Sequence, residues 1–196
     1  MDHEIPQTMG YQAAGVVDEP GEGGTDVAIG DRVFGSSPDG VAQAELAVLS
    51  DFASLSPSPD FVAAAALPSA VETAARALDQ LGVTRDSRVM INGASGSVDT
   101  AAVQLAVARG ARVIRTGSPI THGFLRSVCA EPIAYGDGMA ERVRALAPGG
   151  VDLALHVGNV VLPELPVTGR VAPPANKAQR SQAGAGTDPG RRTNSR

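Results

Sequence analysis

The stretch Arg88-Val89-Met90-Ile91-Asn92-Gly93-Ala94-Ser95-Gly96-Ser97-Val98-Asp99 decides how this sequence is read. Residues 88–92 form a short apolar run bounded by turn residues, which predicts a buried strand. Residues 93–97 are small, and the two glycines predict a tight loop. An alanine-rich helix is expected over 99–109, stopped by Gly110. Arg112-Val113-Ile114-Arg115-Thr116 then predicts a second strand. Strand, glycine loop, helix and strand in that order open a parallel α/β sheet with a right-handed crossover.

Downstream the alternation continues, with helices expected near 123–128 and 139–146 and strands at 132–135 and 151–157. Upstream, Val71, Ala74, Leu78 and Leu81 recur at helical spacing, Ser69 and Glu72 form an S-x-x-E capping pattern, and Gly82 supplies a left-handed stop. Pro68 interrupts this helical region, and Asp60 is placed to cap its start. The segment Leu55-Ser56-Pro57-Ser58-Pro59-Asp60 alternates serine with proline and marks a linker. Between Tyr11 and Val48, the pieces GYQAAGVVD, GDRVFG and AQAELAVL read as short strands separated by turns. The expected organisation is a β-rich unit over 1–60, an α/β unit over 61–170 and a tail over 171–196.

The tail has no aliphatic residue larger than Val171, too little apolar surface to offset the entropy of ordering, and is expected to be disordered. It holds five cations (Lys177, Arg180, Arg191, Arg192, Arg196) against Asp188 alone, while the whole chain carries a net −5. The body is therefore acidic. That balance argues against a nucleic-acid binder, whose affinity comes from phosphate neutralisation. No apolar run reaches the length of a membrane span, and the start is polar and acidic, so a cytoplasmic protein is expected. A single Cys excludes a disulfide framework and a cysteine-based zinc site. His3, His122 and His156 show no metal-ligand spacing, and Cys129 is expected to be a small packed side chain.

The loop 93–99 admits two readings. One is a dinucleotide loop, whose glycines let the backbone approach a pyrophosphate at a helix N-terminus. The other is a tight structural turn, since G-x-x-G-x-x-D is not the usual three-glycine fingerprint. If a dinucleotide binds, NADP fits better than NAD. No Asp or Glu lies between Asp99 and Glu131, and Arg109, Arg112, Arg115 and Arg126 fall in that window, with hydroxyls at Thr116 and Ser118. These arginines read equally as solvated flanks. Asp99 conflicts with a phosphate, because two like charges about 4 Å apart repel by roughly 4 kcal/mol at an effective dielectric near 20. A nucleophile elbow at Ser95 is disfavoured: Ser97 stands where that motif needs Gly, and Asp152 and His156 lie on one strand.

The sequence resembles the medium-chain dehydrogenase/reductase superfamily, specifically its zinc-free, NADPH-dependent quinone oxidoreductase branch. The matching segments run in family order: GYQAAGVV (10–17), GDRVFG (30–35), AELAV (44–48), AAALP (64–68), TAARAL (73–78), INGASGSV (91–98), AAVQLA (101–106), ARVIRT (111–116) and GGVDLALHVG (149–158). The resemblance implies an α/β chain with a partial GroES-like β-rich domain (1–60), an incomplete Rossmann NADP-binding domain (61–170) and a disordered tail. Carried over, Ser95, Gly96, Ser97 and Val98 would line the pyrophosphate, Thr116 and Ser118 the 2′-phosphate, and Thr73 the nicotinamide side. No catalytic residue is assigned. Tyr11 stands where zinc-dependent relatives carry a histidine ligand, so no metal is expected. Ser97 and Asp99 replace glycines, Gln12 an acid, Cys129 a glycine at a helix end and His156 an aspartate. The sheet is expected to stop after its fourth strand, leaving an apolar edge that invites a partner, and a homo-oligomer is one candidate assembly. The implied activity is hydride transfer from NADPH to a quinone or an α,β-unsaturated carbonyl, a small-molecule substrate. The alternative is a truncated, inactive relative kept as a binding or interaction module.

Overall fold

The computed structural model describes residues 8–22, 26–92, 96–156 and 167–172. Two sheets organise them. In the first, β1 (Gln12–Val16), β2 (Arg32–Ser36) and β3 (Asp51–Ser54) are antiparallel, in that spatial order. The register pairs Ala14 with Phe34 and Phe34 with Ala53. Side chains alternate across β2, so Val33 and Phe34 face opposite sides of this sheet. The serine-proline segment after β3 is held by Arg32, whose guanidinium donates to the carbonyls of Ser56 and Pro59 and lies 4.5 Å from the Phe61 ring.

Asp60 caps α1 (Phe61–Ala65) as expected, accepting from the Ala63 N–H at 2.8 Å. Pro68 does not merely interrupt the helical region; it opens α2 (Pro68–Leu81) as its first residue, where the missing N–H costs nothing. The S-x-x-E box expected at Ser69 and Glu72 is consequently not made. Leu67 is the N-cap, the Ser69 N–H donates to Gln12 Oε1 on β1 at 3.0 Å, and Glu72 pairs with Arg76 at 2.9 Å. The box fails because proline starts the helix one residue too early for Ser69 to cap it. Gly82 ends α2 with φ +74°, the left-handed conformation expected.

The second sheet contains β4 (Arg88–Asn92), β5 (Arg112–Gly117), β6 (Glu131–Ala134), β7 (Val151–His156) and β8 (Val167–Ala172). All pairings are parallel and the spatial order is β6-β5-β4-β7-β8. Helices α3 (Ser97–Ala108), α4 (His122–Ser127) and α5 (Met139–Leu146) connect or flank these strands. Period-two alternation divides the core. Val89, Ile91 and Val113 face a layer built by α2 and α3 with Leu78, Leu81 and Val103. Met90 and Ile114 face the opposite layer with Met139 and Val143 of α5.

Two expectations are corrected here. The sheet continues past a fourth strand, because Val167–Ala172 pairs in parallel with β7, and this strand crosses the boundary placed at 171. Val171 and Ala172 belong to the sheet, and the remainder of the expected tail lies outside the described residues. The tail's composition hid the strand, since only its first two residues continue a β-compatible run that starts at Val167. Cys129 is exposed, not packed, and takes a left-handed φ of +59° just past α4. It stands in a C-terminal turn that favours glycine, which points its side chain away from the core.

Candidate functional site

Strand order reverses about β4: the chain builds outward to β5 and β6 on one side, then crosses to β7 and β8 on the other. In open α/β sheets, the crevice at the carboxyl end of such a switch point is where ligands bind. The loop after β4 leads there into α3. Gly93, Ala94 and the expected site residue Ser95 lie outside the described residues. Gly96, Ser97 and Val98 are described. Gly96 is the N-cap of α3 in extended backbone, and Gly96 and Ser97 are exposed. The first hydrogen bond of the helix ladder is Thr100 N–H to the Gly96 carbonyl at 3.1 Å, so the amides of Ser97 and Val98 precede the ladder. Such amides, with the positive end of the helix dipole, suit an anion.

Asp99 does not conflict with that role in the way its position in the sequence suggests. Its side chain turns back and inward, 2% exposed, and its Oδ2 accepts from the Gly96 N–H at 3.1 Å. The same oxygen lies 3.6 Å from Nη2 of Arg115, which is 1% exposed. The repulsion derived from sequence assumed a solvent-facing carboxylate, whereas the structure holds a buried ion pair. Burial, the largest influence, raises the Asp99 pKa above its ordinary value, while the Gly96 hydrogen bond and Arg115 pull it down. Burial likewise lowers the Arg115 pKa against the raising effect of Asp99. For each group, desolvation outweighs the partner, as is common for buried pairs.

The arginine argument for NADP is corrected by the same geometry. Arg115 is buried and pairs with Asp99. Arg109 follows the C-terminal end of α3, opposite the loop, and pairs with Asp79 at 2.8 Å. Arg112 starts β5, at the N-terminal end of the parallel strands and away from the switch-point crevice at their carboxyl ends. Arg126 is exposed in the last turn of α4. Proximity in sequence did not translate into proximity to one site, because helix and strand run in opposite directions between the two ends of the sheet.

The hydroxyl residues separate as well. Thr116 is buried at 2% exposure, and its hydroxyl donates to Asn92 Oδ1 at 2.6 Å, bracing β5 against β4. Ser118 is half-buried just beyond the end of β5, and its carbonyl accepts from the Thr121 hydroxyl at 2.8 Å. Thr73 of α2 is half-buried and lines a cleft of about 890 Å³ between the small sheet and α2, with Tyr11, Phe34, Ser36 and Arg76. Asp152 stands at the opposite end of the sheet, accepting from the Arg88 N–H at 2.7 Å. It braces β7 against β4 and cannot serve a nucleophile in the loop. Among the described residues, no group of His, Cys, Asp and Glu is arranged to hold a metal, and no helix is long and apolar enough to cross a membrane.

The Asp99–Arg115 pair was not anticipated from sequence. Its signal was parity: Arg115 shares with Val113 the face of β5 that packs against α3, and the first turn of α3 carries Asp99.

No family model matches the chain. It is 40% identical over 157 residues to erythronolide synthase EryA2 of Saccharopolyspora erythraea, covering 76% of this chain and 4% of the synthase. Its fold is similar to the quinone oxidoreductase from Coxiella burnetii, with a TM-score of 0.63, 31% identity, and coverage of 78% of this chain and 49% of that one. It is also similar to mycobacterial Rv1454c complexed with NADPH, with a TM-score of 0.71, 26% identity, and coverage of 92% and 63%. The first curated relatives, all polyketide or erythronolide synthases, are matched over only 2% to 7% of their length. The ordered motifs, the reversal of strand order about β4 and these similarities agree: the chain is similar, over the part it spans, to oxidoreductases of the medium-chain dehydrogenase/reductase superfamily.

Proposed function

We propose that this chain serves NADPH-dependent hydride transfer to a quinone or an α,β-unsaturated carbonyl. The observation that carries the reading is the first turn of α3 at the switch point, with the Ser97 and Val98 amides ahead of the helix ladder and the Asp99 charge turned inward. Those amides and Gly96 would hold the pyrophosphate, with Ser95 as an expected neighbour. Ser118 would meet the 2′-phosphate; the Thr116 hydroxyl, already given to Asn92, supports the strand behind it. Thr73 would face the nicotinamide from α2, beside the cleft that Tyr11 and Ser36 line. When bound, the dinucleotide supplies the hydride. The residues in hand bind and orient; a catalytic acid is not assigned.

The preference for NADP rests on the absence of any acid between Asp99 and Glu131, since a carboxylate at the end of β5 would select a ribose hydroxyl and repel a phosphate. Similarity to an NADPH complex supports the same choice. Similarity to a quinone oxidoreductase supports the acceptor class. The test is NADPH oxidation, followed by absorbance, with a panel of quinones and enones and NADH in parallel. Turnover of NADPH with at least one acceptor is expected. No turnover with any of them would overturn the reading, and equal use of NADH would overturn its cofactor choice.

A further inference from the structure

Asp99 and Arg115 are the only buried charged residues among those described. Their pairing is hard to explain as a source of stability, because desolvation outweighs attraction for both. The arginine occupies a strand position facing the apolar layer of α2 and α3, where an aliphatic side chain would pack without that penalty. The aspartate occupies the third residue of α3, where an uncompensated negative charge would oppose any anion at the Ser97 and Val98 amides. Its Oδ1 is buried and accepts no hydrogen bond among the described residues, so hydrogen bonding alone does not offset its charge.

We propose that Arg115 is a positioning residue that acts through Asp99: its cation cancels and draws inward the Asp99 charge, and so makes the α3 N-terminus accept a dinucleotide phosphate without touching it. This inference rests on the dinucleotide reading above. It differs from the reading of Arg115 as a direct phosphate ligand, which the sequence window alone allowed. A direct ligand loses affinity whenever it is removed. A counter-charge loses affinity only while Asp99 remains.

The test is an NADPH fluorescence titration of the full chain and of Arg115→Met, Asp99→Asn, the double variant and Arg115→Lys. Arg115→Met is expected to bind about tenfold more weakly at neutral pH, the consequence of an unbalanced nearby charge. The double variant is expected to return to within about twofold of the parent, and Arg115→Lys to stay close to it. The deficit of Arg115→Met should shrink as the pH is lowered and Asp99, whose pKa burial already raises, takes up a proton, which a purely structural defect would not do. Should Arg115→Met fail to fold, the double variant alone decides. Parent-like affinity supports the counter-charge; a loss matching direct removal of a ligand overturns it. Parent-like binding by a folded Arg115→Met also overturns it. Failure of the parent chain to bind NADPH overturns the dinucleotide reading itself, and this inference with it.

Discussion

Replacing Arg115 by methionine should destabilise the chain in a way that depends on pH. The variant leaves the Asp99 carboxyl buried beneath the first turn of α3, with only the Gly96 N–H to satisfy Oδ2. If the carboxylate stays ionised, removing one partner of a buried pair costs about 3–5 kcal/mol. It can instead take up a proton, at about 1.36 kcal/mol for each pH unit above an ordinary value near 3.9, or roughly 4 kcal/mol at pH 7. Protonation therefore caps the loss at about 4 kcal/mol at pH 7 and about 1.5 kcal/mol at pH 5. The sign follows from a folded pKa raised above the unfolded one: this contribution to stability is present below the unfolded value and is lost as pH rises through the folded one. The double variant Asp99→Asn, Arg115→Met removes both charges and should match the parent or exceed it by up to about 4 kcal/mol, with the extra pH dependence gone. Urea unfolding followed by circular dichroism at the two pH values measures all three. A loss that is equal at pH 5 and pH 7, or a double variant that sums the two single losses, would refute the reasoning.

Two other outcomes follow from the packing. Gly35→Ala places a Cβ against the Asp51 carbonyl oxygen and 2.8 Å from Phe52 Cα, backbone atoms that cannot step aside, so β2 and β3 should part at a cost of about 1–3 kcal/mol in a thermal or urea melt. Cys129, exposed beyond α4, should react fully with a thiol reagent in the folded state, and protection until unfolding would contradict its placement.

The α/β unit was largely legible because its elements carry local signals. Val89 and Ile91 alternate with Met90, Gly82 and Gly110 take the left-handed turns their helices need, and Asp60 caps α1. What failed depended on partners distant in sequence. Ser69 looked like a cap, yet proline one position earlier starts the helix and leaves the Ser69 amide to Gln12. β8 was missed because its pairing with β7, not its composition, makes it a strand. The candidate site divided along the same line. Its position after β4 follows from the order of strand, loop and helix, and the structure places the end of β4 at the switch point, with Gly96 and the first turn of α3 following it in the chain. Its electrostatics did not follow, because the charge presented at the loop depends on Arg115, sixteen positions beyond Asp99 and buried opposite it.

The most direct test of the account is amide hydrogen exchange of the full chain with and without NADPH. The account predicts that the Ser97 and Val98 amides slow on addition of the dinucleotide, with the far end of the sheet around Asp152 unchanged. Binding that leaves those two amides unaffected, or no binding at all, would contradict it.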